Sequence, residues 1–211
     1  MIDVNKQINA VTREVGSKPA EGTELRVVRL GQTYDTSIED LWEACTNAER
    51  IPRWFMPVSG DLSLGGHYQL EGNASGIVEV CDPPIGFDAT WEFGGEVSWI
   101  RVRLTAVGEV HTRFNLEHIA PVEGARWDEY GPGAVGVGWE LGLMGLTLHI
   151  AGAGALDPHE VAAWSASAEG IEFMTRSSEA WAAASIAFGT DRDAANAAAG
   201  RTTAFYTAAP G

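Results

Sequence analysis

From about residue 61 to residue 120, apolar and polar positions alternate with a period of two. Phe87, Ala89, Trp91 and Phe93 alternate with Asp88, Thr90 and Glu92. Ile100, Val102 and Leu104 alternate with Trp99, Arg101 and Arg103, and Phe114, Leu116 and His118 with Arg113, Asn115 and Glu117. Successive strand side chains face opposite ways, so these runs predict an antiparallel meander with one apolar and one wet face. Gly94-Gly95 and Gly108 mark its turns. On the wet face, Glu92 and Glu117 are expected to pair with Arg101, Arg103 and Arg113, each pair contributing tenths of a kcal/mol to ~1.

Elsewhere the pattern is helical or punctuated. A helix is expected over 3–14, with Ile8 and Val11 as its apolar edge, and a linker over 16–22. Leu25 to Tyr34 reads as the first strand. Asp35 or Thr36 caps a helix starting at Ser37, with Ile38, Leu41, Trp42 and Cys45 at helical spacing. A second short helix is expected over 47–55, bent at Pro52. After Gly131 a long helix carries the stripe Val135, Trp139, Leu143, Leu146 and Ile150. Its interior holds Gly136, Gly138, Gly142 and Gly145, each costing ~1 kcal/mol against alanine. That cost predicts a compensating close approach, most simply to the sheet. Residues 156–208 are alanine-rich; Asp157-Pro158 opens a helical segment, Gly189-Thr190 breaks it and Asp191 caps a second. Two helices over 157–207 bury too little by themselves, so they must dock through Trp164, Trp181 and Phe205 on the outer surface of their own chain or on a second copy. The expected organisation is an N-terminal helix and linker (1–22), a main domain (23–155) and a C-terminal helical extension (156–211).

Charge narrows the function. With 29 acidic and 14 basic residues among 211, the net charge is −15. That field repels phosphate backbones and anionic lipid surfaces, and there is no basic patch to offset it, so neither nucleic acid nor membrane is an expected partner. Cys45 and Cys81 are the only cysteines; two reduced thiols are the simpler reading, and a disulfide stays open on sequence grounds. The N-terminus lacks a basic region followed by an apolar run, and no stretch approaches ~18 uninterrupted apolar residues. A cytoplasmic protein is expected.

The candidate chemistry is sparse. Gly131-Pro132-Gly133-Ala134-Val135-Gly136 satisfies GxGxxG, but the preceding 123–130 is polar and the downstream segment is helical, so the strand and distal acid of a dinucleotide site are missing. His118 continues the inward parity of Phe114 and Leu116. It is either a core histidine satisfied by one partner or the polar group orienting a ligand in an apolar pocket. His67, His111, His149 and His159 lack neighbours at metal-ligand spacing, so no metal or cofactor is expected. Glu79, Glu92 and Glu140 carry no sign of a general base. Trp54, Phe55, Trp91 and Trp139 are expected in the core or cavity wall. Trp99 is expected exposed on the outer face, as a docking point for the tail or another subunit.

Several segments in order carry a resemblance. They are 47–55 (NAERIPRWF), 64–70 (LGGHYQL), 76–84 (GIVEVCDPP), 90–93 (TWEF), and the helix opened by Gly138-Trp139 and ending near His149-Ile150. Together they resemble the START-like, helix-grip (SRPBCC) superfamily, in the branch named after the activator of heat-shock-chaperone ATPase. The tail, with Arg201 to Tyr206, is similar to extensions on actinobacterial members. The resemblance implies an α+β fold: a curved antiparallel sheet wrapped around a long C-terminal helix, with a C-terminal helical hairpin appended. It also implies a cavity for a small hydrophobic or amphipathic ligand, with no shared catalytic set. The expected wall is Tyr68, Leu70, Val78, Val80, Phe87, Ala89, Trp91, Ile100, Val102, Leu104, Phe114, Leu116, His118, Trp139 and Leu143. Non-catalytic binding leads. A regulator of a heat-shock chaperone ATPase and an enzyme of polyketide cyclase type, with His118 as acid or base, are the alternatives. A homodimer is left open.

Overall fold

The structure is a computed structural model that describes residues 3–20, 23–122, 125–155 and 157–208. Eight strands form one sheet: β1 (Thr12–Ala20), β2 (Thr23–Tyr34), β3 (Val58–Gly60), β4 (His67–Leu70), β5 (Ser75–Asp82), β6 (Gly86–Phe93), β7 (Glu96–Ala106) and β8 (Thr112–Pro121). Their order is β1-β2-β8-β7-β6-β5-β4-β3, and the pairs from β8 through β3 are antiparallel. The helices are α1 (Val4–Ala10), α2 (Ile38–Thr46), α3 (Ala125–Tyr130), α4 (Gly133–Ile150), α5 (Pro158–Ser165), α6 (Ala168–Phe188) and α7 (Arg192–Thr207). The fold is α+β, of the helix-grip type that the resemblance implied.

Residues 3–20, 23–30, 121–122, 125–141 and 157–208 form one compact unit, and residues 31–120 and 142–155 a second. In the second unit the meander has the expected parity. Ile100, Val102, Leu104, Phe114 and Leu116 are buried. On the other face Arg101 and Arg103 are exposed, while Arg113 and Glu117 are half-buried. The acid between the two exposed arginines is Asp88, 3.1 Å from Arg101 and 2.5 Å from Arg103, instead of the expected Glu92. Gly94 and Gly95, with φ of +63° and +83°, make the β6–β7 hairpin that only glycine enters without strain. The second half of α4 lies on β2: the Tyr34 hydroxyl donates to the Leu143 carbonyl at 3.2 Å and the Gln32 amide to Thr147 Oγ1 at 2.8 Å.

Local details depart from expectation. Ser37 itself caps α2, accepting from the Asp40 amide. The helix expected over 47–55 shrinks to a 3-10 turn at Ile51–Arg53, because Pro52 lacks the amide that a longer helix needs. The N-terminal helix ends at Ala10, and the expected linker is strand β1 through Ala20; residues 21–22 lie outside the described residues. The tail holds three helices, not two, because Ser167 caps α6 and separates it from α5. The break at Gly189 (φ +113°) and the cap at Asp191 stand where the residues put them.

In the first unit, the glycines of α4 answer to the tail and not to the sheet. A β-carbon on Gly136 would collide with the Trp181 indole, one on Gly133 would lie 3.0 Å from Thr202 Cγ2, and one on Gly138 2.9 Å from the Tyr206 hydroxyl. Thr202 donates to the Tyr130 carbonyl at 2.9 Å and Tyr206 to the Ala134 carbonyl at 3.0 Å. The GxGxxG spacing is thus packing geometry: Gly131 supplies a turn at φ +60°, while Gly133 and Gly136 admit α7 and α6. Trp181 is fully buried and Trp164 half-buried against Phe173, but Phe205 is 60% exposed, contrary to its expected docking role. Phe205 instead flanks Tyr130 and Tyr206 at the surface. The tail docks on its own chain, on α1, β1, α3 and the first half of α4.

That half of α4 also buries a charge. Glu140 is fully buried and takes a bidentate pair from Arg13, Nε to Oε1 and Nη2 to Oε2, both at 2.6 Å. Arg13 Nη1 further donates to the carbonyls of Ile8 and Val11, so every end of the guanidinium is used.

Two substitutions test this account. Gly136→Ala should destabilise the protein by ~1–3 kcal/mol in urea unfolding, the overpacking cost exceeding the ~1 kcal/mol gain in helix propensity. Arg13→Met should cost ~3–5 kcal/mol by stranding Glu140, and the double variant Arg13→Met/Glu140→Leu should recover most of that loss. An Arg13→Met protein as stable as the parent would mean that the pair contributes nothing.

Candidate functional site

The inner face of the second unit's sheet carries the residue expected to act as acid or base, His118. His118 lies on β8, opposite Ile100 of β7, and is 6% exposed. Its Nε2 is 3.0 Å from Ser98 Oγ. Ser98 directs its own proton to the Trp91 carbonyl at 3.0 Å, so Nε2–H must be the donor to Ser98 and Nδ1 the acceptor side of the ring. The Trp91 ring meets the imidazole edge-on, with centroids 6.1 Å apart. Burial pushes the His118 pKa down to about 4, which keeps the ring neutral at physiological pH. The group at Nε2 is a hydroxyl and not a carboxylate. This geometry fixes a tautomer and an orientation, as a ligand-positioning imidazole requires.

The residues expected to form a ligand wall differ in burial. Tyr68, Leu70, Val78, Ala89, Ile100, Val102, Leu104, Phe114, Leu116 and Leu143 are buried. Phe87 and Trp91 are half-buried, Phe87 edge-on to Trp42 at 6.4 Å. Tyr68 donates its hydroxyl to the Thr90 carbonyl at 2.6 Å, and burial raises its pKa. Trp139 is half-buried and belongs to the first unit.

Val80 is a correction. It is 42% exposed, because a β-bulge between Val78 and Val80 pairs Val78 with Ala89 but Val80 with Asp88. The extra residue reverses parity downstream, so Val80 joins the wet row of Asp88 and Arg101 and Cys81 takes the register position opposite Phe87. Nothing in the run Val78-Glu79-Val80-Cys81 signals the bulge. Trp99, expected exposed, is half-buried, with Ile119 opposite it in the ladder.

A second polar cluster pins the 3-10 turn. Arg50 Nη1 donates to Asp40 Oδ1 at 2.8 Å and Nε to His149 Nε2 at 3.3 Å. His149 must be neutral at Nε2 to accept; burial and then the Arg50 charge lower its pKa. Phe55 meanwhile packs on Gly142, where a β-carbon would lie 3.2 Å from its Cε2. Neither Arg50 nor Asp40 stood out in the sequence, since charged residues on short helices are common. Among the described residues no group of three His, Cys, Asp or Glu could hold a metal ion, and no helix is long and apolar enough to cross a membrane.

Comparison with known proteins agrees with this architecture. The family described as "Activator of Hsp90 ATPase homolog 1-like protein" matches residues 35–150, more than half of the chain. CalU16 from Micromonospora echinospora is similar in two solved structures. Its crystal structure is 33% identical over 83% of this chain and 98% of that one, with a TM-score of 0.64. Its solution structure is 34% identical over 85% and 97%, with a TM-score of 0.68. DynU16, a protein of the dynemicin biosynthetic locus, shares the fold at 18% identity over 61% of this chain and 48% of that one, with a TM-score of 0.55. No curated protein matches the chain. The likeness to CalU16 extends beyond the family-matched segment.

The buried imidazole makes stability pH-dependent. The folded pKa of His118 lies below the ordinary 6.5, so the unfolded chain takes up the proton first. Its contribution is complete above pH ~6.5 and is lost as pH falls toward 4, by up to ~3 kcal/mol. His118→Gln should flatten the urea-unfolding free energy over that window; an unchanged slope would mean that His118 is not the group responsible.

Proposed function

Because the chain belongs to the Activator of Hsp90 ATPase homolog 1-like family of the START-like superfamily, we propose that its second unit is a non-catalytic binding domain for a small hydrophobic or amphipathic ligand. The ligand lies against the inner sheet face and the second half of α4, and His118 orients it. The observation that carries this reading is a neutral imidazole held in one tautomer by Ser98 amid Leu116, Ile100 and Trp91. A ligand hydroxyl suits a neutral ring of fixed tautomer, while the surrounding apolar residues supply most of the affinity. Proton transfer would call for a titratable partner within hydrogen-bond reach, and the partner at Nε2 is a hydroxyl.

The family's description favours one further reading, contact with a heat-shock chaperone that alters its ATPase. The chaperone's steady-state ATP turnover, with and without this protein, distinguishes the two; a change that persists in His118→Ala would support the chaperone reading.

Native mass spectrometry of the full-length protein, as purified and after incubation with dodecanol, tests the binding reading. A retained adduct is expected, lowered several-fold in His118→Ala. No adduct under either condition, or equal retention by the variant, would overturn it.

A further inference from the structure

The first unit contains a cavity of about 230 Å³ between the α3–α4 turn and helices α6 and α7. It has a buried floor and an open mouth. Pro132, Gly133, Ser178, Trp181, Ser185 and Ala198 on its lining are buried, whereas Asp128, Thr190 and Ala194 are exposed. The tail residues on the lining other than Trp181 and the three hydroxyl residues are alanines, and leucine there would fill the space. The hydroxyl protons of the floor are in use: Ser178 donates to the Met174 carbonyl at 2.8 Å and Ser185 to Thr190 Oγ1 at 2.8 Å. Trp181 is the exception. It is fully buried, yet its indole Nε1 has no hydrogen-bond partner among the described residues. The ring edge that carries Nε1 lies against Gly136, three residues along α4 from the lining residue Gly133. A buried donor without an acceptor calls for an explanation beyond packing. No charged side chain is on the floor. Asp128 is exposed, and Arg26, 6.0 Å from the Trp127 ring centroid, is outside the lining.

We propose that this cavity is a ligand site for a small, neutral, single-ring aromatic carbonyl compound whose oxygen accepts from Trp181 Nε1. The size fits one ring with a short substituent: a dry cavity of ~150 Å³ already accommodates benzene, whereas drug-sized ligands take ~300 Å³ or more. Trp127, Tyr130 and Trp181 supply the aromatic surface against which such a ring packs. Neutrality follows from the floor. A cation or an anion seated there would lose its hydration without gaining a counter-charge. A carbonyl oxygen needs only a donor, and the unpartnered group of the floor is a donor. The site uses none of the inner-sheet residues assigned to the hydrophobic ligand, so the two readings stand or fall separately.

The test is titration of the full-length, 15N-labelled protein at pH 7 with acetophenone. Ethylbenzene is the comparator of similar size without an acceptor, and 1-phenylethylamine and benzoate are the cationic and anionic ones. At saturation with acetophenone the assigned Trp181 indole proton should move downfield, as it does on gaining an acceptor, and ethylbenzene should not produce that shift. The two charged compounds should bind at least tenfold more weakly than the ketone. Trp181→Phe removes the donor and should lower the ratio of ketone to hydrocarbon affinity by about fivefold. Should that variant fail to fold, the indole shift in the parent protein decides. Ala194→Phe, at an exposed lining position, should weaken both neutral compounds at least tenfold while the melting temperature holds, with Ala199→Leu as the second blocking variant. Absence of saturable shifts at millimolar acetophenone, the outcome for a cavity that holds only water, would overturn the proposal. So would a Trp181 indole proton that stays in place at saturation, charged compounds that bind as tightly as the ketone, or full binding by the blocked variants.

Discussion

The first unit depends on the contact between the Trp181 indole and the bare backbone of Gly136. A tryptophan in the middle of a 21-residue helix can be fully buried only if the facing surface offers a recess of its size. On α4 the recess is a missing β-carbon. The same device repeats at Gly133 for Thr202 and at Gly138 for Tyr206, so three side chains of the tail are keyed to three glycines. The helix gives up roughly 1 kcal/mol of propensity at each such position, and the buried indole offsets it, since truncating a buried Trp to Ala typically costs ~3–5 kcal/mol.

The other face of that half-helix carries Glu140, and its burial ties the N-terminal segment to the same element. A carboxylate sealed from water is tolerable only with its charge neutralised and its lone pairs used. Arg13 does both, while its remaining nitrogen, Nη1, donates to the carbonyls of Ile8 and Val11 at the end of α1. The segment before the family-matched region is therefore part of the fold and not an appendage. Its contribution to net stability is modest, because desolvation cancels much of the attraction; its contribution to position is larger, since removing either partner strands the other.

In the second unit, the meander's register decides what surrounds His118. Ser98, Ile100 and Trp91 reach the imidazole because residues two apart share a face and the β7–β8 register sets Ile100 opposite His118. One bulge within β5, between Val78 and Val80, suffices to eject Val80 from that face. The histidine itself stays neutral because it is buried, and its tautomer is set by a hydroxyl already committed to a carbonyl.

Period and punctuation alone determined much of this: the alternating strands, the glycine turns, the caps at Asp157 and Asp191, and the inward parity of His118; the family came from a resemblance. These are local properties, written in residues two to four apart. The tertiary structure decided what lies far apart along the chain. It turned the expected linker into a strand, because β1 gains its hydrogen bonds only from a neighbour in the sheet. It assigned Gly133, Gly136 and Gly138 of α4 to the tail, a matter of which helix approaches and not of helix propensity. It joined Arg13 to Glu140 across 127 positions and exposed Phe205 while burying Trp181, although both are large apolar residues in the same alanine-rich tail. Periodicity says which face of an element is apolar; only the packed partners say what that face meets.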